Sequence, residues 1–277
     1  MTNRTFLITG AGRGLGLALT EAVLAAGHQV VGTVRREQDR AAFEALAPGR
    51  AHAFILDVAD HVRAPEVVAA IEAKVGDVDV LINNAGYGHE GVLEESPLDA
   101  MIRQFDVNVF GTVALIKAVL PGMRKRRRGH IFNISSMAGL IAMPGIAYYT
   151  ASKFSIEAIS AVLAQEVRDL GVKVTCLAPG SFRTDWAGSS LDRTERSISD
   201  YDAVFEPIRD ARRAKSGRQQ GDPAKLAEVV LKVIDLDDPP VTLVLGKDAL
   251  KAVRDNTAKF LAELGKWEVL SLSTEFE

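Results

Sequence analysis

Short apolar runs recur along the chain with amphipathic stretches between them. The strand-like runs are FLIT, QVVGTV, AHAFILDV, DVLINN, GHIFNIS, VKVTCLA and VTLVLG. Each is apolar almost throughout rather than alternating, the pattern of strands buried on both faces. Between them, a helical periodicity falls near residues 14–27, 38–46, 62–75, 98–127, 149–170 and 223–235. Strands separated by helices predict a parallel sheet covered on both sides and joined by right-handed crossovers. The expected fold class is therefore α/β: a doubly wound Rossmann fold with a parallel sheet of about seven strands. No internal repeat or low-complexity linker interrupts the pattern, so residues 1–277 read as a single domain. Residues 185–222 break the rhythm, being polar and rich in arginine, serine and aspartate. Residues 248–277 extend past the last strand as a C-terminal extension. Its helix-like KAVRDNTAKFLAELGKW could pack on the sheet edge, help form a pocket or make a subunit contact.

Composition narrows the function classes. A hydrophobic content of 47% with 25% charged residues is that of an ordinary globular protein. A net charge of −3 gives no electrostatic case for nucleic-acid or membrane partners. The basic run Arg124–Arg128 follows an apolar helix, where cations complement the C-terminal dipole. Cys176, the only cysteine, lies in an apolar strand and reads as an inert buried thiol suited to a reducing cytoplasm. No signal peptide is evident, and no apolar run reads as long enough to span a bilayer. No His, Cys or carboxylate cluster has metal-ligand spacing.

Two segments carry candidate chemistry. Tyr149 and Lys153 stand four residues apart on a helical pattern, so they share a face. A neighbouring cation favours the phenolate, and lowering a tyrosine pKa by about three units corresponds to roughly 4 kcal/mol. The pair is a candidate general acid/base. Tyr148 is a weaker candidate, because its partner four residues on is Ser152. The second segment is the run from Gly10 to Gly16, lying between the strand RTFLIT and an amphipathic helix. Small residues there would let the backbone approach a pyrophosphate at a helix N-terminus. Leu15 occupies the position of the third glycine in G-x-G-x-x-G, whereas G-x-x-x-G-x-G fits on Gly10, Gly14 and Gly16.

Together these residues resemble the short-chain dehydrogenase/reductase family over roughly residues 4 to 246. Thr9-Gly10-Ala11-Gly12-Arg13-Gly14-Leu15-Gly16 is similar to its cofactor loop, and Asn83-Asn84-Ala85-Gly86 to its N-N-A-G motif. Pro179-Gly180-Ser181-Phe182-Arg183-Thr184 is similar to its P-G-x-V-x-T segment, with Phe182 at the usual branched position. The resemblance implies a catalytic set of Asn108, Ser136, Tyr149 and Lys153. In it Ser136 holds the substrate oxygen, Tyr149 exchanges the proton, Lys153 also holds ribose hydroxyls, and Asn108 positions a relay water. Residue physics alone leaves Ser135 and Ser136 as alternatives, on opposite faces of a continuing strand.

The implied cofactor is a nicotinamide dinucleotide. Its expected contacts run through the glycine loop, Asp57 and Val58 near the adenine, and Asn84, Ala85 and Gly86. They continue through Asn108, Tyr149 and Lys153 to Pro179, Gly180, Phe182 and Thr184 at the nicotinamide. About 20 residues past the last glycine, where NAD-preferring sites place a carboxylate, stand Arg35 and Arg36. With Arg13 nearby, forked hydrogen bonds to phosphate favour NADP(H) over NAD(H).

The resemblance further implies that 185–222 is a substrate lid and that chains pair through the helices at 98–127 and 149–170 as a homodimer or homotetramer. Tyr87, Gly88, residues 138–146, Phe182 and Trp186 are expected near the pocket. Their largely apolar character suggests a small-molecule ketone, aldehyde or alcohol with a hydrophobic body. His89 is the histidine nearest that pocket and reads as a solvated loop residue, with contact to substrate as the alternative. A non-catalytic NADP(H)-binding regulator on the same fold is the alternative. An epimerase or dehydratase of the extended relatives would need a different glycine spacing and a larger C-terminal domain.

Overall fold

The computed structural model describes residues 3–276 except Asp185, Ala187 and Ser189. Three residues at the start of the expected lid thus lie outside the described residues, as do Met1, Thr2 and Glu277. The main sheet is built from β1 (Thr5–Ile8), β2 (Gln29–Val34), β3 (Ala51–Ile55), β4 (Val80–Asn83), β6 (Gly129–Ile134), β7 (Val172–Pro179) and β9 (Thr242–Leu245). Two short strands, β5 (Gly88–Glu90) and β8 (Leu191–Arg193), pair with each other outside it. The seven strands are parallel in the order β3-β2-β1-β4-β6-β7-β9. The expected doubly wound Rossmann fold is therefore the observed one. Strand order reverses between β1 and β4, and the carboxyl ends there open the crevice in which such folds bind ligands.

The two faces of the sheet explain the unbroken apolar runs. Phe6 and Ile8 of β1 pack on one side with Leu19 and Val23 of α1 (Gly14–Ala25) and Leu226 and Val230 of α8 (Pro223–Val233). Phe43, on α2 (Gln38–Glu44), joins that side by entering the space beside Gly32, where an added Cβ would sit 2.3 Å from its ring. Leu7 points the other way, into a core with Ile71 of α3 (Ala64–Lys74), Leu115 of α5 (Gly111–Arg126) and Leu163 of α6 (Ala147–Glu166). A strand alternates its side chains between faces, so burying both requires apolar residues at every position.

The helix expected over 98–127 is α4 (Leu98–Phe105), a wide π-type turn at Asp106–Phe110, and then α5. By length and composition the stretch Leu98–Arg126 is apolar enough to cross a bilayer, which corrects the sequence reading. Here Leu115, Ile116, Val119 and Met123 instead bury that apolar face in the core. The basic run closes α5: Arg126 pairs with Asp77 at 3.0 Å and Arg128 with Asp79 at 3.0 Å, and Arg127 takes the left-handed cap conformation at φ 54°.

The irregular region contains an unforeseen helix, α7 (Asp202–Lys215). The C-terminal extension forms α9 (Lys247–Leu272).

Candidate active site

A cleft of about 1890 Å³ runs across the carboxyl ends of the strands, from the glycine loop past Tyr149 to α7. That exceeds the 300–1,000 Å³ of an ordinary small-molecule pocket. The glycine loop forms its floor. Gly10 and Gly14 have φ of +62° and +54°, conformations that disfavour any side chain. A Cβ on Gly16 would lie 2.2 Å from the Gly10 carbonyl oxygen, whereas one on Gly12 would meet nothing within 4 Å. Arg13, the first residue before α1, provides no side-chain cap, and Arg13, Gly14 and Leu15 all line the cleft. The first-turn N–H groups of α1 thus make an anion cradle beside a space open enough for a pyrophosphate.

Neighbouring segments are tied to that loop. The Thr9 hydroxyl oxygen accepts the N–H groups of Asn84 and Ala85, both at 2.9 Å. The Asn84 amide in turn donates to the carbonyls of Thr9 and Gly10 at 2.9 and 3.2 Å. Gly86 sits against Asn108 and Lys153, its notional Cβ 3.1 Å from Asn108 Oδ1 and 3.7 Å from Lys153 Nζ. Thr184 lies across the loop, 3.7 Å from a Cβ on Gly14. Pro179, Gly180 and Phe182 line the cleft beside it, with Phe182 partly buried in the core. On the far rim are Val58 and Asp57, whose carboxylate accepts the Ala59 N–H at 3.0 Å.

The arginines occupy the same rim unequally. Arg35 and Arg36 both line the cleft and are exposed. Arg36 forks onto Asp39, with two contacts of 2.8 Å. One of the expected phosphate-reading cations therefore already has a carboxylate partner.

The acid/base residues are brought together at the middle of the cleft. Ser136 leaves β6 in extended geometry, its hydroxyl accepting the Ala138 N–H at 3.1 Å and standing near enough to the Tyr149 phenol to lower its pKa. Ser135 turns inward and is buried, 3.5 Å from the Lys153 carbonyl. Of the two alternatives left open by the sequence, Ser136 is thus the one beside Tyr149. Tyr148 points elsewhere: its hydroxyl donates to the Ser96 carbonyl at 2.8 Å. Trp186 packs on the Tyr149 ring at 5.0 Å between centroids.

Lys153 Nζ donates to the Ile134 carbonyl at 2.7 Å and lies 5.6 Å from the centre of the Tyr149 ring. The sequence argument expects this cation to lower the tyrosine pKa. Instead, burial pushes the phenol up to about 12, with the Ser136 hydrogen bond pulling against it. Burial also pulls Lys153 down to about 8. At both groups desolvation dominates: the Ser136 hydrogen bond on the phenol and the Glu157 carboxyl near the ammonium offset it only in part.

Asn108 sits at the centre of the π-type turn, the kind of wide turn that often marks a functional position. Its side chain grips Tyr87, accepting the backbone N–H at 3.1 Å and donating to the carbonyl at 3.0 Å. The Asn108 carbonyl accepts the Thr112 hydroxyl at 3.1 Å. His89 is a correction: it is buried in β5, stacked on Tyr148 at 5.0 Å and bonded to the Thr194 hydroxyl at 2.9 Å. Gly88 lies in the same strand rather than in the cleft wall, where Tyr87, Met143, Ile146 and Trp186 stand.

Two contributors escape sequence reasoning. Asp248, in the first turn of α9, accepts the Ser181 N–H at 2.9 Å and fixes the loop after β7. Pro207, Ile208 and Ala211 of α7 supply an apolar wall. The sequence named only their segments, the C-terminal extension and the 185–222 lid, because neither contributor lies in a motif. Among the described residues no group of three or more metal-ligating side chains occurs.

Fold and cleft together define a dinucleotide-binding oxidoreductase architecture, and the comparisons give the family. The short chain dehydrogenase family matches residues 4–195, so the chain belongs to that family. It is 38% identical over 272 residues to an oxidoreductase, BOA17, of Botryotinia fuckeliana, covering 98% of this chain and 99% of the other. It is 34% identical to the 3-ketodihydrosphingosine reductase of Bacteroides thetaiotaomicron, over 89% of each. The structure of a short-chain dehydrogenase from Streptomyces avermitilis superposes with a TM-score of 0.92 at 37% identity, covering 100% of both chains. A serine dehydrogenase complexed with NADP+ superposes at 0.74, with 27% identity over 87% of this chain and 94% of that one.

Proposed function

We propose that the protein is an NADP(H)-dependent oxidoreductase interconverting a ketone or aldehyde with an alcohol. The observation that carries this reading is the joining of Ser136, Tyr149 and Lys153 in one cleft with the glycine cradle. A bound nicotinamide dinucleotide supplies or accepts the hydride. Gly10, Gly12, Gly14, Leu15 and Gly16 would hold its pyrophosphate, Arg13, Arg35 and Arg36 a 2′-phosphate, and Asp57 and Val58 the adenine. Asn84, Ala85, Gly86 and Lys153 would border the ribose, and Pro179, Gly180, Phe182 and Thr184 the nicotinamide.

The chain's own residues handle the substrate oxygen and its proton. Ser136 donates a hydrogen bond to that oxygen and stabilises the charge that develops there. Tyr149 keeps its proton at neutral pH and is ready to donate it to a forming alkoxide. The phenolate left behind is stabilised by the Lys153 ammonium, which is charged below about pH 8. Asn108 holds Tyr87 and the π-type turn so that proton replacement can proceed past Lys153. Trp186, Met143, Ile146 and Ile208 exclude water and accommodate an apolar substrate body. The similarity to a 3-ketodihydrosphingosine reductase from Bacteroides supports a hydrophobic carbonyl compound.

In this reading residues 1–277 act as one domain, 185–222 is a lid carried by α7, and the protein works without nucleic acid or membrane in the cytoplasm. Tyr149→Phe tests it directly. The variant should bind NADPH with unchanged affinity while turnover of a carbonyl panel falls at least 100-fold. Near-normal turnover would remove Tyr149 from the chemistry. Normal dinucleotide binding by a wild type that turns nothing over would favour the non-catalytic regulator.

A further inference from the structure

The C-terminal helix carries an unsatisfied apolar stripe. Ala249, in its first turn, is fully buried, but every residue from Arg254 to Phe276 is exposed. The helical part of that span, Arg254–Leu272, projects for about 28 Å. Unsupported helices of that length are marginal in water, and Gly265 weakens this one further. Yet its sequence is patterned for burial. Leu250, Val253, Thr257, Phe260, Leu264 and Trp267 follow one another at alternating steps of three and four, the spacing of a two-helix seam. Phe260 is 61% exposed, Leu264 51% and Trp267 55%.

We propose that this stripe is the contact between two copies of the chain, formed by antiparallel pairing of α9 with its copy. Charge selects that occupant and that direction. Residues 247–259 carry four cations and two carboxylates, whereas residues 260–277 carry four carboxylates and one lysine. Antiparallel pairing sets the basic half against the acidic half, and parallel pairing sets like against like. In the register that places Phe260 on Leu264 of the second copy, Thr257 faces Trp267, a small residue opposite a large one. Arg254 then flanks Glu268 of the second copy, and Leu261 meets its own copy at the two-fold axis. Glu263 is held on its own helix by Lys266 at 3.0 Å and the Trp267 indole N–H at 2.7 Å. The exposed parts of the seam residues amount to on the order of 400 Å². That is half of the roughly 800 Å² that a stable contact covers on each partner, before its polar rim is counted. The acidic outer half also disfavours an anionic lipid surface as occupant.

Light scattering on the eluting full-length protein tests the proposal. Phe260→Glu/Leu264→Glu should halve the particle mass while leaving NADPH binding unchanged, because neither position lines the cleft. Halving also holds if a second contact makes the wild type a tetramer. Leu261→Cys should form an intermolecular disulfide under mild oxidation, with Cys176 buried and out of reach. A monomeric wild type, a mass unchanged in the double variant, or monomeric wild type co-sedimenting with phosphatidylcholine–phosphatidylglycerol vesicles would each overturn it.

Discussion

Asp248 shows how much a single residue outside every motif can contribute to the cleft. Burial opposes ionisation of its carboxyl, but hydrogen bonds from the Ser181 N–H and hydroxyl, the Ala249 N–H and the Gln220 side chain together outweigh burial and hold it below the usual carboxylate range. A Cβ on Gly180 would lie 2.4 Å from the same carboxylate, so the loop between β7 and Thr184 is packed directly on it. Asp248→Ala would leave the Ser181 N–H without its partner, at a cost of about 1–2 kcal/mol. The KM for dinucleotide should rise several-fold while kcat changes little, because the loop and not the acid/base pair is loosened. Equal losses in both parameters would place Asp248 in the chemical step instead. The ionisation of Lys153 gives a second prediction. Its pKa falls from 10.5 to about 8, so the ammonium is present below that pH and lost above it. Tyr149, raised to about 12, stays protonated across the same window. The kcat/KM for dinucleotide, which reports ionisations of the free enzyme, should hold near neutrality and decline above about pH 8. A decline that begins only near pH 10 would mean that Lys153 is not the titrating group.

At the scale of elements, α7 closes the substrate side of the cleft through buried charge rather than apolar packing. Phe205 is its one buried residue. Glu90, almost fully buried in β5, is paired with Arg193 at 3.2 Å and with Arg212 of α7. Glu95 accepts the backbone N–H groups of Ser197 and Ile198, both at 2.7 Å, and pairs with Arg196. Glu90→Gln keeps the shape but removes the charge, weakening contacts worth about 2 kcal/mol. Amide exchange over residues 202–215 should then quicken roughly 30-fold, because each 1.4 kcal/mol is a factor of ten in an opening equilibrium. Exchange that stays at the wild-type rate would show that α7 is held by something else. The same helix marks the limit of what the sequence discloses. The seven sheet strands and the helices between them were legible because two-sided burial forces continuous apolar runs. DAVFEPIRDARRAK has seven charged residues and an internal proline, and its apolar stripe is only Val204, Phe205, Ile208 and Ala211, too short to stand out from the polar segment around it. Three-residue β5 and β8 are too short to show a period. The π-type turn is also silent, because it changes the backbone bonding around Asn108 without changing the apolar rhythm. Ser136 and Tyr149 could be located by spacing, but the balance of burial against charge at their protons depends on packing that no spacing encodes.

For the whole molecule, the cleft draws on segments distant in sequence, so cofactor binding and global stability are linked. The glycine loop, the rim after β2, the loop after β4 and the segment held by Asp248 all border it. A ligand that binds only the folded chain stabilises it by about 2.7 kcal/mol at 100 times its Kd. For a chain of this size that corresponds to a rise in Tm of roughly 5 °C. The cations on the rim then determine which dinucleotide gives the larger rise. Arg13 and Arg35 offer donors to a 2′-phosphate, and Asp39 competes for Arg36 through the two contacts at 2.8 Å. NADPH should therefore raise Tm more than NADH at equal concentration. Arg13→Ala/Arg35→Ala should abolish the difference while leaving the shift from NADH intact. Asp39→Asn should widen it, since the variant frees Arg36 and removes a carboxylate that repels phosphate. Equal shifts from the two dinucleotides in the wild type would mean that these arginines do not read the 2′-position. An NADPH advantage that survives in the double variant would place the phosphate contact on Arg36 alone, and Asp39→Asn would then have the largest effect of the series.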